Sequence, residues 1–151
     1  MRAATQGFAL LEMICVLAIV GMIAAFVLPA FPHATSRARL EAYALETATV
    51  LKEDRVAAVQ RQARVTSEVD AGARAIRSGI TGRILRFPDD VMMDAVLPSR
   101  CQGRQVGWSI DFLPNGMSCG GVIALRRPGA AYEIRVNWLT GGVDIVPGQP
   151  L

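Results

Sequence analysis

The sequence turns on Gly7-Phe8-Ala9-Leu10-Leu11-Glu12 and the run behind it, Met13 to Ala30, MICVLAIVGMIAAFVLPA, eighteen residues without a charge. About 18 to 20 such residues span the hydrocarbon core of a bilayer as a helix. Glu12 lies just inside the apolar edge, between Leu11 and Met13. A carboxylate deep in a membrane helix costs about 2.5–3.5 kcal/mol on insertion scales, so a partner for it is expected. Phe8 and Glu12 are four residues apart and would share one helix face. An ordinary cleaved secretory signal has an apolar core of about 7 to 15 residues and a small-residue cleavage site. This run is longer, and Glu12 directly before it interrupts the apolar stretch that begins at Phe8. A plain signal anchor would tolerate the length but gives no reason for Gly7-Phe8 or for Glu12.

Working outward, Pro29 and Pro32 are expected to bend the helix, because proline removes a donor and clashes with the preceding turn. From Thr35 to Arg64 there is no Gly or Pro, and Ala, Leu, Glu and Arg dominate. Leu40, Ala44, Leu45, Ala48, Leu51, Ala58 and Val59 fall near a 3.6-residue period, which predicts an amphipathic helix continuing the stem. One bent helix from Phe8 to Arg64 would be about 85 Å long.

After Arg64 the period changes to two. Val65 and Val69, Ile84 to Phe87, Val91 to Val96, Val106-Trp108-Ile110-Phe112, Val122 to Leu125, Tyr132-Ile134-Val136-Trp138, and Val143 with Ile145 read as strands. Turn chemistry separates them at Gly79 and Gly82, Asp89-Asp90, Pro114-Asn115-Gly116, Gly120-Gly121, Pro128-Gly129 and Gly141-Gly142. Sequential strands with short turns favour antiparallel hairpins, with the amphipathic helix covering one face of the sheet. The expected fold class is α+β.

The 151 residues suit one domain, and some 110 remain beyond the stem, enough for a modest core. Apolar residues make up 52% and charged ones 19%; the apolar run accounts for much of that excess, so the remainder reads as an ordinary soluble domain. A net charge of +3 is too balanced to point to nucleic acid. Arg74, Arg77, Arg83 and Arg86 form a locally basic stretch, either a solvated face or a groove for an anionic partner. Cys15 lies in the apolar run as a small hydrophobe. Cys101 and Cys119 form a candidate disulfide, permitted in an oxidising compartment, although the sequence does not fix their separation. No catalytic set emerges: His33, the one histidine, sits between Pro32 and Ala34 as a connector, and no Walker loop, HExxH or CxxC is present. No cofactor and no metal are expected.

The segment GFALLEMICVLAIVG resembles the prepilin signal of type IV pilins and type II secretion pseudopilins. In that signal a short polar leader ends in glycine, phenylalanine follows, and glutamate takes the fifth place of the apolar run. Ala9 stands where threonine is usual, and the leader has Arg2 as its one basic residue. The resemblance implies cleavage between Gly7 and Phe8 by a prepilin peptidase, N-methylation of Phe8, an assembly role for Glu12 opposite a neighbour's N-terminal amine, and a helix bend at Pro29. Losing Arg2 with the leader lowers the charge from +3 to +2.

The second half, Ile110-Asp111-Phe112-Leu113-Pro114-Asn115-Gly116, then Gly120-Gly121-Val122-Ile123 and Thr140-Gly141-Gly142-Val143, is similar to the heads of H-type minor pseudopilins and FimT-type minor pilins. That family implies a type IV pilin-like fold: residues 1–7 a leader, 8–31 a transmembrane segment, 32–64 an amphipathic helix and 65–151 a β-rich head. It implies a single-pass inner-membrane protein with a periplasmic head. Its partners would be other pseudopilins, the prepilin peptidase and methyltransferase, an inner-membrane assembly platform and membrane lipid, with nucleic acid not expected. The function implied is a minor pseudopilin of a type II secretion system. The alternative is a FimT-like minor pilin of a type IV pilus, binding DNA or a surface.

Overall fold

Ser36 starts the helix around which the head is built. Its hydroxyl accepts the Arg39 N–H at 3.2 Å as an N-cap, and α2 runs from Arg37 to Gln60. The computed structural model describes the backbone of residues 5–27 and 34–150, and the side chains of 10–23 and 34–150. Within it α1 spans Thr5–Val27. The chain divides into two compact units, Met1–Ala34 and Thr35–Leu151, so α2 belongs with the strands. The expected bend at Pro29 and the connector His33 lie outside the described residues. Among the described residues no helix is long and apolar enough to cross a membrane. The expected span, 8–31, runs at both ends beyond the side chains described.

Helix α2 stops sooner than the sequence suggests. Gln62 takes a left-handed φ of +49°, its N–H reaches Val59 O, and the N–H of Ala63 reaches Ala58 O. This is a Schellman stop made without its usual glycine. The chain then enters β1 (Val65–Asp70), whose residues alternate buried and exposed along its whole length.

Ten strands follow in two four-stranded antiparallel sheets and one small ribbon. The first sheet has the order β3 (Ile84–Arg86), β2 (Ala75–Arg77), β1, β7 (Ser109–Phe112). The second has β10 (Val143–Pro147), β9 (Ala130–Val136), β8 (Gly121–Arg127), β4 (Met92–Val96). The ribbon pairs β5 (Arg100–Cys101) with β6 (Arg104–Gln105). The fold is α+β, as the strand and helix patterns predict. The head has two sheets, however, because β4 pairs with β8 and leaves the β1–β3 meander. Gly120-Gly121 accordingly lies where the chain passes from one sheet to the other, not in a hairpin between neighbours. Neither β2 nor the β5–β6 ribbon was expected.

The core lies between α2 and the sheets. Leu40, Ala44, Ala48, Leu51 and Ala58 pack with Val69, Ile76, Ile110 and Phe112 of the first sheet and Ile123, Leu125, Ile134 and Val136 of the second. Each large aliphatic or aromatic side chain so buried contributes about 1.5–3 kcal/mol of transfer free energy. Arg55 ties the helix to two distant turns, donating to Gly116 O at 3.1 Å and Thr140 O at 2.8 Å. Gly141, at φ +63°, lies against the same carbonyl so closely that a Cβ would overlap it.

Candidate functional site

Along α1, every described side chain from Leu10 to Ile23 is exposed, and all but Glu12 and Gly21 are apolar. A helix apolar all round has no polar face to give to water and needs another apolar environment. Glu12 is exposed on this helix, and so is the thiol-bearing Cys15. Gly7 and Phe8 lie in its first two turns.

Helix α2 shows two faces. Leu40, Ala44, Thr47, Ala48, Leu51, Asp54 and Ala58 are buried. Leu45 and Val59, expected on that stripe, are 55% and 39% exposed. They belong instead to an outer row, Ala38, Ala42, Leu45, Thr49, Lys52, Val56 and Val59, all exposed and spaced alternately four and three apart. A 3.5-residue repeat of mostly small or apolar side chains is the geometry a second helix packs against.

The β5–β6 ribbon is held from three directions. Gln102 and Gly103 both have positive φ, as a two-residue hairpin turn requires. Cys101 is bonded to Cys119, with Cα atoms 5.5 Å apart. Arg64 pairs with the buried Asp111 carboxylate at 3.1 Å and donates to Gln102 Oε1 at 2.8 Å. Cys101, Asp111 and Cys119 put their sulfur and oxygen atoms within 4.8 Å of one another, spacing that would suit a metal. With the sulfurs bonded to each other and Arg64 on the carboxylate, that donor set is already committed.

The basic stretch is largely neutralised. Arg74 pairs with Asp89, Arg83 with Glu46, and Arg77 with Glu68 at 3.5 Å. A phosphate-binding groove needs free cations, and of these four residues only Arg86 has no ion pair among the described residues.

Two carboxylates that sequence reasoning passed over, or took for a bare turn, organise the head. Asp54 is fully buried in α2 and accepts from Ser67 Oγ at 2.7 Å, Ser78 Oγ at 2.6 Å, Gly79 N at 2.9 Å and Ile80 N at 3.3 Å. Asp90 accepts the Thr35 N–H at 2.5 Å and the Thr35 hydroxyl at 2.9 Å, joining the β3–β4 turn to the start of α2. The backbone bond from Thr35, then the hydroxyl bond, hold the Asp90 carboxyl below its ordinary value. Because the folded value is depressed, this staple is fully present above the ordinary carboxylate pKa of about 3.9 and is lost as pH falls through the folded value. The Thr35 amide resonance is therefore expected to hold its position from neutral pH to about 4 and then move with acid. In Asp90→Asn that titration should vanish, and a Thr35 resonance still titrating there would refute the staple.

Comparison with known proteins supports the fold. No protein-family model matches the sequence, and no curated protein does. Among solved structures, the minor pseudopilin EpsH of the Vibrio cholerae type 2 secretion system superposes with a TM-score of 0.55 at 10% identity, covering 71% of this chain and 95% of that one. The type IV minor pilin FimU of Pseudomonas aeruginosa does so with 0.56 at 13% identity, covering 77% and 97%. These likenesses establish a shared fold with minor pseudopilins and minor pilins.

Proposed function

We propose that the chain is a minor pseudopilin of a type II secretion system. It is made with a leader, cut between Gly7 and Phe8, N-methylated at Phe8, and assembled with other pseudopilins by an inner-membrane platform into a periplasmic filament. The observation that carries this reading is the prepilin-type segment GFALLEMICVLAIVG ahead of a head with the fold that EpsH also has. The all-round apolar α1 supports insertion in lipid before assembly and packing among apolar stems afterwards. Glu12 then meets a neighbour's N-terminal amine, and in low dielectric that attraction is strong. The outer row of α2 offers a second helix-packing surface. The role is structural, with no reaction assigned to the chain.

The likeness to FimU favours a second reading, a minor pilin of a type IV pilus. Its DNA-binding version is weakened by the ion pairs of Arg74, Arg77 and Arg83. A salt series of DNA binding decides between them: affinity falling steeply with salt would favour the pilin.

The test of the reading common to both is the intact mass of the membrane-extracted protein from a host with an active prepilin peptidase. A chain starting at N-methylated Phe8 is expected, and one still starting at Met1 would overturn it. In the same host, Glu12→Ala is expected to leave the cut intact and remove the protein from sheared filaments. Normal filament recovery would refute the role of Glu12.

A further inference from the structure

One concavity of the head bears no relation to the helices invoked above. It is an open cleft of about 650 Å³ on the outer face of the first sheet, between the end of β1 and the loop before β7. Trp108 forms one wall and is 72% exposed. The sequence pattern placed this residue on a strand, in alternation with Ile110 and Phe112. In the structure its carbonyl instead accepts the Val69 N–H at 2.8 Å, so β1 fixes the loop while the indole stands free. An exposed tryptophan forgoes a large apolar burial, which a partner would recover.

The ionisable side chains lining this cleft are Glu68 and Asp70, both acidic and both exposed. They alternate along β1 on the same outward face as Thr66, which with Ser109 gives the cleft hydroxyl groups. Glu68 shares one oxygen with Arg77 at 3.5 Å, and Asp70 accepts the Ala73 N–H at 2.8 Å through Oδ1. Each carboxylate keeps a second oxygen free of those contacts. An aromatic face beside two carboxylates, in a chain whose overall charge is positive, selects for a cation. A guanidinium suits it best, because it is planar, stacks on indole and offers a fork of donors to carboxylates.

We propose that this cleft is a docking site for an arginine side chain presented on an extended segment of a partner protein. The cation stacks on Trp108, its donors meet Glu68 and Asp70, and the hydroxyls of Thr66 and Ser109 meet the segment's backbone. The site stands independently of the filament reading.

The test uses the full ¹⁵N-labelled chain in detergent micelles, titrated with the peptide acetyl-Gly-Arg-Gly-amide. The indole N–H resonances of Trp108 and Trp138, the two tryptophans, serve as reporters. A saturable shift of Trp108 is expected while Trp138 stays in place. The citrulline counterpart, equal in shape but neutral, should bind about tenfold more weakly, the equivalent of ~1.4 kcal/mol. The double variant Glu68→Gln, Asp70→Asn should lose a similar factor with the remaining backbone resonances unmoved, since both side chains are on the surface. An unmoved Trp108 at the peptide's solubility limit would overturn the proposal. Equal binding of the citrulline peptide would overturn it as well, leaving an apolar groove. A Trp108 shift with N-acetylglucosamine but none with the peptide would reassign the cleft to a sugar.

Discussion

Replacing Asp54 with alanine is expected to lower the stability of the head by about 3–5 kcal/mol, among the larger losses a point substitution causes. The carboxylate is fully buried and gathers four donors from three places: Ser67 on β1, Ser78 after β2, and the backbone of Gly79 and Ile80. Alanine leaves the buried hydroxyls of Ser67 and Ser78 without their acceptor, and each unsatisfied buried group costs about 1–3 kcal/mol. Gly79 lies close against the Thr66 carbonyl, which a Cβ there would overlap, so the loop that meets Asp54 is packed onto β1. At roughly 4–8 °C per kcal/mol for a domain of this size, the melting temperature should fall by about 12–40 °C. Asp54→Asn keeps one acceptor but turns an amide donor toward other donors, so an intermediate loss is expected. Thermal unfolding followed by circular dichroism measures both, and a drop below about 5 °C for alanine would remove Asp54 as the organising group.

The second large effect concerns the bond between Cys101 and Cys119, eighteen residues apart in sequence. In the chain-entropy view, closing a loop of that length restrains the unfolded chain and stabilises the fold by about 3 kcal/mol. The bond fastens the β5–β6 ribbon, which two short strands could not hold unaided. Substituting both cysteines by alanine, or adding reductant, is expected to lower the melting temperature by roughly 12–24 °C. Reductant should then have no further effect on the double variant. Before reduction, thiol labelling of the unfolded chain should find one reactive group, Cys15. Three labelled thiols would mean that the bond is absent from the protein.

The strand pattern of the head was legible wherever one face of a strand is buried. Val65 and Val69 of β1 and Ile134 and Val136 of β9 sit where alternation puts them, all nearly inaccessible. The pattern failed at its ends. Val106 and Trp108 carry the alternation on ahead of β7, and Trp138 carries it on past β9, but all three fall outside the strands, and both tryptophans are mostly exposed. Periodicity says nothing about which strand neighbours which, so one sheet was expected where β4 founds the edge of a second. The hairpin at Gln102-Gly103 escaped notice because glutamine stands in the left-handed position that asparagine usually fills. The end of α2 escaped for the same reason at Gln62.

On α2 the difficulty was of another kind. Leu45 and Val59 lie within one position of buried residues, so an apolar stripe of period 3.6 and a second of period 3.5 merged in the sequence. Asp54, between Glu53 and Arg55, has the composition of a solvated face. Only the serines it meets, thirteen and twenty-four residues further on, show that it points inward. As for the candidate sites, the proposed N-terminal one rests on a short contiguous motif that stands in the sequence as written. The cleft was not legible there, because Glu68, Asp70 and Trp108 come together only through the pairing of β1 with β7.

The staple between Thr35 and Asp90 also has a mechanical consequence. A pull on the head through the chain at Thr35 would first load the two hydrogen bonds to Asp90, and only then the first turn of α2. Because Asp90 precedes β4, part of that tension passes into the second sheet, while α2 carries the rest along its axis. Arg55, anchored to the turns at Gly116 and Thr140, resists the sliding of the helix at its far end. Load therefore arrives as shear shared among several parallel bonds, and the helix is not peeled away from one end.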